Sequence, residues 1–267
     1  MEAADALVHT RELIRNVAAK YGLRATFAPK PFPSSAGTGA HTHISLHSGS
    51  ESKPRDGLAS FEKSFLAGVL EHLQALPALT LPIPPSFKRV SDHSWAGGTY
   101  ICWGTENREA PIRLVNESSP SSRRFEMRFI DGTACPYLVL AGILTAGLDG
   151  LHKRQELTMK NCAAEVPADM TVEEREAYGI TRRLPLTYQD SRTYFEQNEL
   201  FNRVFGENFV KKYLSVNKVC LYWVKREKVT ESDSWWEKYL TKGPLKKRSC
   251  RAWWSFSRVA ISVQLYL

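Results

Sequence analysis

Two histidines separated by one residue are the first candidates for chemistry in this chain. The run His41-Thr42-His43-Ile44-Ser45-Leu46 alternates polar and apolar residues, which predicts a half-buried strand. Residues i and i+2 of a strand face the same side, so His41, His43 and Ser45 share one face. Two imidazoles at that spacing suit a divalent cation or a polyphosphate. A solvent-facing polar row on an edge strand would produce the same pattern, and the motif alone does not decide.

A second predicted strand carries charged residues in the same geometry. Within Arg124–Phe129, residues Arg124, Glu126 and Arg128 share a face opposite three apolar residues. A carboxylate among arginines is explained if it binds a metal that also binds phosphate, although cross-strand ion pairs give the same pattern. Bidentate recognition of carboxylate and phosphate favours Arg over Lys. The arginines expected to converge on one pocket are Arg89, Arg108, Arg113, Arg124 and Arg128.

Other catalytic signatures are missing from the sequence. It contains no GxxxxGK[ST], no GxGxxG after a strand and no GxSxG. A metal-dependent amidohydrolase would fit HxH on a strand, but it needs further ligands at later strand ends. The remaining histidines lie in predicted helices or loops: His9, His47, His72, His93 and His152.

The elements that must position these residues follow from hydrophobic periodicity. Helices are predicted from Leu7 to a stop at Gly22, over 61–76, over 135–151, over 171–178, over 191–206 and over 207–222. Strands are predicted over 24–28, 41–46, 99–103, 111–115 and 124–129, with a long loop over 81–98. The class is therefore α+β or a partial α/β barrel.

Composition and charge divide the chain near its end. The 267 residues are 43% hydrophobic, 24% charged and 11% aromatic, as in an ordinary globular protein. Residues 1–210 carry a net charge of −1, whereas residues 211–267 carry +9 and five of the seven tryptophans. We expect residues 1–240 to form one domain and residues 241–267 to lie outside the native fold. A membrane-surface or nucleic-acid role would rest on this basic tail alone, and we expect neither partner.

The cysteines and the N-terminus indicate the cytoplasm. Five widely spaced cysteines without a CxxC pair do not form a disulfide framework or a zinc ribbon. The first 15 residues lack the apolar stretch of a signal peptide, and no apolar run reaches the roughly 20 residues of a membrane span.

Three stretches in this order resemble the catalytic domain of glutamine synthetases. They are Lys30-Pro31-Phe32 through Gly37-Thr38-Gly39-Ala40 to Leu46, then Ser86–Arg89 with Trp103–Arg108, then Arg124–Phe129 with Pro136-Tyr137 and Ala146–Gly150. The resemblance runs from about residue 2 to about residue 222, and is greatest to the branch found in fungal developmental proteins. It implies a partial catalytic barrel of antiparallel strands with packed helices. The N-terminal β-grasp domain and first barrel strands, which carry the glutamates of a second metal site, would be absent.

The resemblance also implies an activity and roles for single residues. ATP would phosphorylate the γ-carboxylate of glutamate, and ammonia or an amine would attack the acyl phosphate, with Mg²⁺ or Mn²⁺ neutralising the phosphates. Family members form homo-oligomeric rings. Matched position by position, the implied metal ligands are His41 and Glu126; the nucleotide contacts are His43, Ser45, Arg108, Arg113 and Arg124; the substrate contacts are Gly37, Arg89 and Arg128; and Arg89, Arg108 and Arg128 are the implied catalytic residues.

Two positions depart from the family pattern. Ala36 stands where the family has Asn, and Trp95 stands where it has a glutamate that shields the intermediate and helps to deprotonate ammonium. We therefore expect an incomplete, poorly active ligase. The alternative is a non-catalytic regulatory or interaction protein that retains the fold.

Overall fold

The sheet that carries the candidate residues is mixed. The computed structural model describes residues 1–31, 37–226 and 261–266. The strands are β1 (Thr42–His47), β2 (Trp103–Thr105), β3 (Ile112–Val115), β4 (Arg124–Met127) and β5 (Ile261–Tyr266), and their order in the sheet is β2-β3-β4-β1-β5. The predicted α+β class is confirmed. β4 is antiparallel to both β1 and β3, as expected, whereas β2 runs parallel to β3 and β5 parallel to β1.

Burial in β1 follows the alternation predicted from the sequence. Thr42, Ile44 and Leu46 are buried, whereas the residues between them are half-buried. β1 pairs with β4 in a register that sets His43 opposite Glu126. The polar sides of the two strands therefore coincide, and the apolar sides face the same core.

Helices cover the other side of the core. The helix over Pro136–His152 has few polar residues on any side, as its sequence predicts, and most of its length is buried. The helices in the described residues are α1 (Glu2–Lys20), α2 (Ser60–Glu71), α3 (Pro77–Thr80), α4 (Pro136–His152), α5 (Val172–Ala177), α6 (Tyr188–Gln197), α7 (Glu199–Phe205) and α8 (Glu207–Arg226).

Glycines allow α2 and α4 to touch along their backbones. A Cβ atom built on Gly68 would clash with the carbonyl oxygen of Ala146, and one built on Gly147 would clash with the ring of Phe65. Phe65 stacks on Phe125 of β4, with ring centroids 6.3 Å apart and an interplanar angle of 14°. The paired helices thus support the strand that carries Glu126.

Several predicted element boundaries are wrong for local reasons. Residues 24–28 form no strand, because no strand among the described residues pairs with them. The predicted loop over 81–98 contains a 3₁₀ helix over Pro84–Arg89, which starts with prolines whose φ suits a first helical turn. β2 begins only at Trp103. The single helix predicted over 191–206 is two helices, because the Asn198 side chain accepts from the Phe201 amide and starts α7.

The C-terminal part of the chain differs from expectation where it is described. Residues Ile261–Tyr266 pair with the whole length of β1, although residues 241–267 were expected to lie outside the fold. The expected boundary at residue 240 and residues 241–260 lie outside the described residues. Among the described helices, none is long and apolar enough to cross a membrane.

Candidate active site

A histidine and a glutamate lie in direct contact where β1 meets β4. His41 Nδ1 is 2.7 Å from Glu126 Oε1, and the two side chains are only 13% and 6% exposed. Two ligands of one divalent ion are expected within roughly 4–5 Å of each other, since each bond is about 2 Å long. The predicted convergence of His41 and Glu126 is therefore confirmed.

Two arginines divide the oxygens of Glu126 between them. Arg128 Nη1 donates to Oε1 at 2.7 Å, and Arg113 Nη1 donates to Oε2 at 3.0 Å. Arg113 also donates through Nη2 to the exposed carboxylate of Glu106. Arg128 is 4% exposed and donates through Nη2 to the backbone oxygen of Trp95 at 2.6 Å.

Arg89 lies behind His41 and is almost completely buried. Its Nε donates to the Thr38 carbonyl at 2.5 Å, and its Nη2 donates to the Arg128 carbonyl at 3.1 Å. Nη2 also lies 3.5 Å from His41 Nε2. Arg89 Nη1 and Arg113 Nε are buried donors without a hydrogen-bond partner among the described residues. Buried donors of this kind are costly unless a ligand or water accepts from them.

Two glycines leave the space beside these side chains open. A Cβ on Gly37 would approach Arg89 Cγ to 3.0 Å, and a Cβ on Gly39 would approach His41 Nε2 to 2.6 Å. A larger residue at position 39 would therefore cover the imidazole nitrogen that Glu126 leaves available. The neighbouring departure at Ala36 lies outside the described residues.

The nucleotide-side residues lie further along the same polar face. Arg124 Nε donates to His43 Nδ1 at 3.1 Å, and the half-buried Ser45 follows two residues later on β1. Arg124 does not contact the His41–Glu126 pair, but it extends the positive charge of the face beyond it.

Arg108 does not join the cluster, and the prediction that five arginines converge is wrong at this position. Its side chain is exposed, and its backbone oxygen accepts from the Gly97 amide. The two neighbouring side chains point inward: Asn107 donates to the Cys162 carbonyl at 2.6 Å, and Glu109 contacts the 91–98 segment. With both neighbours held inward, the Arg108 side chain projects into solvent.

Electrostatics keep His41 neutral and Glu126 charged. Burial lowers the pKa of His41 to about 4, against the opposing hydrogen bond to Glu126 and with help from the charges of Arg128 and Arg89. Burial alone would raise the pKa of Glu126, but the His41 hydrogen bond and the Arg128 charge outweigh it, so this pKa lies well below its usual range. Burial lowers the pKa of Arg89 to about 10, which leaves it protonated at neutral pH.

These protonation states fit a divalent cation in part. A neutral His41 that donates through Nδ1 to Glu126 keeps a lone pair on Nε2, but Nε2 is on the opposite side of the ring and lies 3.5 Å from Arg89 Nη2. A cation bound by both His41 and Glu126 would therefore replace the hydrogen bond between them. A charged carboxylate is a donor that Mg²⁺ and Mn²⁺ prefer. Among the residues that the structure describes, no group of three or more His, Cys, Asp or Glu side chains could hold a metal. A bound cation would need further oxygens from water or from a substrate phosphate.

The sequence patterns miss two acidic residues that support the site. Glu106 binds Arg113, and Glu109 accepts from two backbone amides of the 91–98 segment. Both follow β2 in a turn, where no alternation indicates which way a side chain points. Their signal in the sequence is only their proximity to Arg108 and Arg113.

Comparison with known proteins identifies the family of this chain. A sequence model described as glutamine synthetase, catalytic domain, matches residues 1–234. The chain is 40% identical over 216 residues to Protein fluG of Emericella nidulans, covering 81% of this chain and 23% of that protein. It is 38% identical to the gamma-glutamylpolyamine synthetase GlnA3 of Streptomyces coelicolor, covering 76% and 45%.

Solved structures agree with the sequence comparison. The structure titled "GmaS/ADP complex-Conformation 1" superposes with a TM-score of 0.68 at 28% identity, covering 89% of this chain and 54% of that one. A glutamine synthase homologue superposes with a TM-score of 0.65 at 29% identity, covering 86% and 51%. The chain spans 23% of the length of Protein fluG and 45% of the length of GlnA3, which is less than half of each of these relatives. The matched segment includes His41, Glu126 and the arginines around them, and the chain belongs to the glutamine synthetase family through its catalytic domain.

Proposed function

We propose that the site belongs to an ATP-dependent ligase that joins the γ-carboxylate of glutamate to ammonia or an amine. The observation that carries the proposal is the set of guanidinium groups around Glu126, which keep buried donors without a partner among the described residues. Arg89, Arg113 and Arg128 carry three positive charges, His41 is neutral, and the paired carboxylates are Glu126 and the half-exposed Glu106. The two donors that these carboxylates leave unpaired are Arg89 Nη1 and Arg113 Nε. Such a cluster attracts anions, and both phosphate and carboxylate match guanidinium geometry.

The reaction would proceed in two balanced steps. The γ-carboxylate oxygen attacks the γ-phosphorus of ATP, so that ADP leaves and an acyl phosphate forms. The amine then attacks the acyl carbon, phosphate leaves, and a proton departs from the nitrogen. Mg²⁺ or Mn²⁺ would supply charge neutralisation on the phosphates, with His41 and Glu126 as its protein ligands.

The residues of this chain would act by position and charge. Arg89 and Arg128 would hold the substrate carboxylate and the transferring phosphoryl group, while Gly37 gives the backbone room beside Arg89. Arg113 and Arg124 would neutralise the phosphates near His43 and Ser45. Buried guanidinium groups need little reorganisation as charge develops, which is the main contribution expected in phosphoryl transfer. Arg108, exposed as it is, would act only if the nucleotide reaches it.

The nitrogen substrate of the proposed reaction is either ammonia or an organic amine. Trp95 is 70% exposed and offers no proton acceptor, and the loss of a positioned general base typically costs about 10²–10⁴-fold. A relative named as a gamma-glutamylpolyamine synthetase supports an amine acceptor. A second candidate function is that of a non-catalytic protein with the same fold. Two observations favour it: Trp95 cannot act as a base, and the described residues contain no group of three or more side chains that could hold a metal.

The test is ATP-dependent γ-glutamyl hydroxamate formation by the 267-residue chain. We expect turnover that depends on Mn²⁺ or Mg²⁺ and is far below the enzyme median of roughly 10 per second. Arg128→Lys should abolish it, whereas Arg203→Lys on the exposed side of α7 should not. Turnover near the median would contradict the expected weakness. Failure to bind ATP with Mn²⁺ in calorimetry would favour the non-catalytic candidate.

A further inference from the structure

The segment 91–98, which follows the 3₁₀ helix, contacts the arginine cluster through its backbone. The carbonyl oxygen of Trp95 accepts from Arg128 Nη2 at 2.6 Å, while Nη1 of the same guanidinium donates to Glu126. His93 and Trp95 have φ values of 57° and 53°, which non-glycine residues seldom adopt. Such a conformation persists only where surrounding contacts impose it.

One buried carboxylate supplies those contacts. Glu109 is 7% exposed; its Oε2 accepts from the His93 amide at 3.0 Å, and its Oε1 accepts from the Trp95 amide at 2.6 Å. Both amides therefore point at one side chain, and both belong to the residues with positive φ. Gly98 also lies so close to the Glu109 carbonyl oxygen that a Cβ there would approach it to 2.5 Å.

The backbone of Glu109 is held by hydrogen bonds through Asn107. Its own amide donates to Asn107 Oδ1 at 2.8 Å. Asn107 Nδ2 donates to the carbonyls of Cys162 at 2.6 Å and Glu165 at 2.8 Å. A continuous set of hydrogen bonds thus connects the 162–165 loop to the Trp95 carbonyl and from there to Arg128.

We propose that Glu109 is a positioning residue that holds the 91–98 segment so that the Trp95 carbonyl orients Arg128 toward Glu126 and the substrate anion. Both carboxylate oxygens are occupied by backbone amides, so Glu109 is not a free proton acceptor. Its effect on catalysis rests on the proposed function, but its effect on the segment does not.

Hydrogen–deuterium exchange of the His93 and Trp95 amides tests the structural part directly. Hydrogen bonds to a charged group are strong enough that Glu109→Ala should speed exchange there roughly ten- to a hundredfold. Glu109→Gln keeps one acceptor oxygen and should give an intermediate increase. Glu174→Ala is the matched control, because Glu174 also accepts from a backbone amide, that of Thr171, far along the chain. Unchanged exchange in Glu109→Ala, or an increase spread evenly over the protein, would overturn the proposal.

Kinetics on the same variants test whether the 91–98 segment affects catalysis, separately from whether Glu109 holds the segment. In hydroxamate formation, we expect Glu109→Ala to raise the KM for glutamate about tenfold or more, with partial rescue by Glu109→Gln and no change in Glu174→Ala. An unchanged KM in a variant whose segment has loosened would show that the segment does not orient Arg128. A wild-type chain without activity would contradict the proposed function, whereas the exchange result would still decide whether Glu109 holds the segment.

Discussion

Replacing Glu126 by Gln removes the carboxylate that Arg113 and Arg128 share, while keeping nearly the same side-chain volume. The Glu126 side chain is 6% exposed and that of Arg128 is 5% exposed, so the guanidinium would remain buried without its counter-charge. Breaking a buried ion pair on one side costs about 3–5 kcal/mol. Glu106→Gln is the matched control, because Glu106 contacts the same Arg113 but is 48% exposed. An exposed pair contributes at most about 1 kcal/mol.

The assay is thermal and urea unfolding of both variants beside the parent chain. For a domain of this size, about 1 kcal/mol shifts the Tm by roughly 2–4 °C, so Glu126→Gln should lower it by about 6–20 °C. The control should lower it by no more than about 4 °C. Mn²⁺ binding followed by electron paramagnetic resonance should be lost in Glu126→Gln and retained in Glu106→Gln. Equal effects of the two substitutions on stability would refute the reasoning that Glu126 compensates the arginines.

Two further predictions concern acid stability and the C-terminal segment. Because the folded-state pKa of His41 is about 4 and its unfolded value about 6.5, the unfolded chain takes up the proton first, so stability should fall by up to about 3 kcal/mol as the pH drops through that window. Urea titrations between pH 7 and pH 4 should show a shallower decline in His41→Gln, and an identical decline would contradict the buried neutral imidazole. Deleting residues 241–267 should lower the Tm of the remainder, because Ile261–Tyr266 pair along the whole length of β1; an unchanged Tm would show that the segment contributes nothing to the fold, as its composition predicts.

The strand face could be predicted from sequence because alternation is a local property. The spacing of His41 and His43 at the start of β1, and of Glu126 and Arg128 at the end of β4, fixes which side chains share a side, and the antiparallel register then brings them together. Arg108 shows the limit of this reasoning. It follows β2 in a turn, so its direction depends on what holds its neighbours and not on a repeat.

Element boundaries were less predictable wherever distant contacts decide them. The apolar residues near 24–28 favour a strand by propensity, but a strand exists only if another strand pairs with it. The amphipathic pattern over 191–206 predicts one helix, but the Asn198 side chain caps the N-terminus of α7 and so divides the segment into two helices. No local sequence pattern indicates the role of Glu109, because the two amides that donate to its side chain lie 14 and 16 residues earlier in the chain.

The direct backbone contact between α2 and α4 has a consequence for sequence variation. Side chains in an ordinary core can exchange volume with their neighbours, so one substitution is often tolerated after a second. At Gly68 the neighbour is the main-chain carbonyl oxygen of Ala146, which no side-chain substitution elsewhere can remove or make smaller. Even alanine would have to push the helices apart, and the Phe65–Phe125 stack would pass that displacement to the strand bearing Glu126. Saturation mutagenesis should therefore find Gly68 as intolerant as a residue of the active site, although it contacts no substrate.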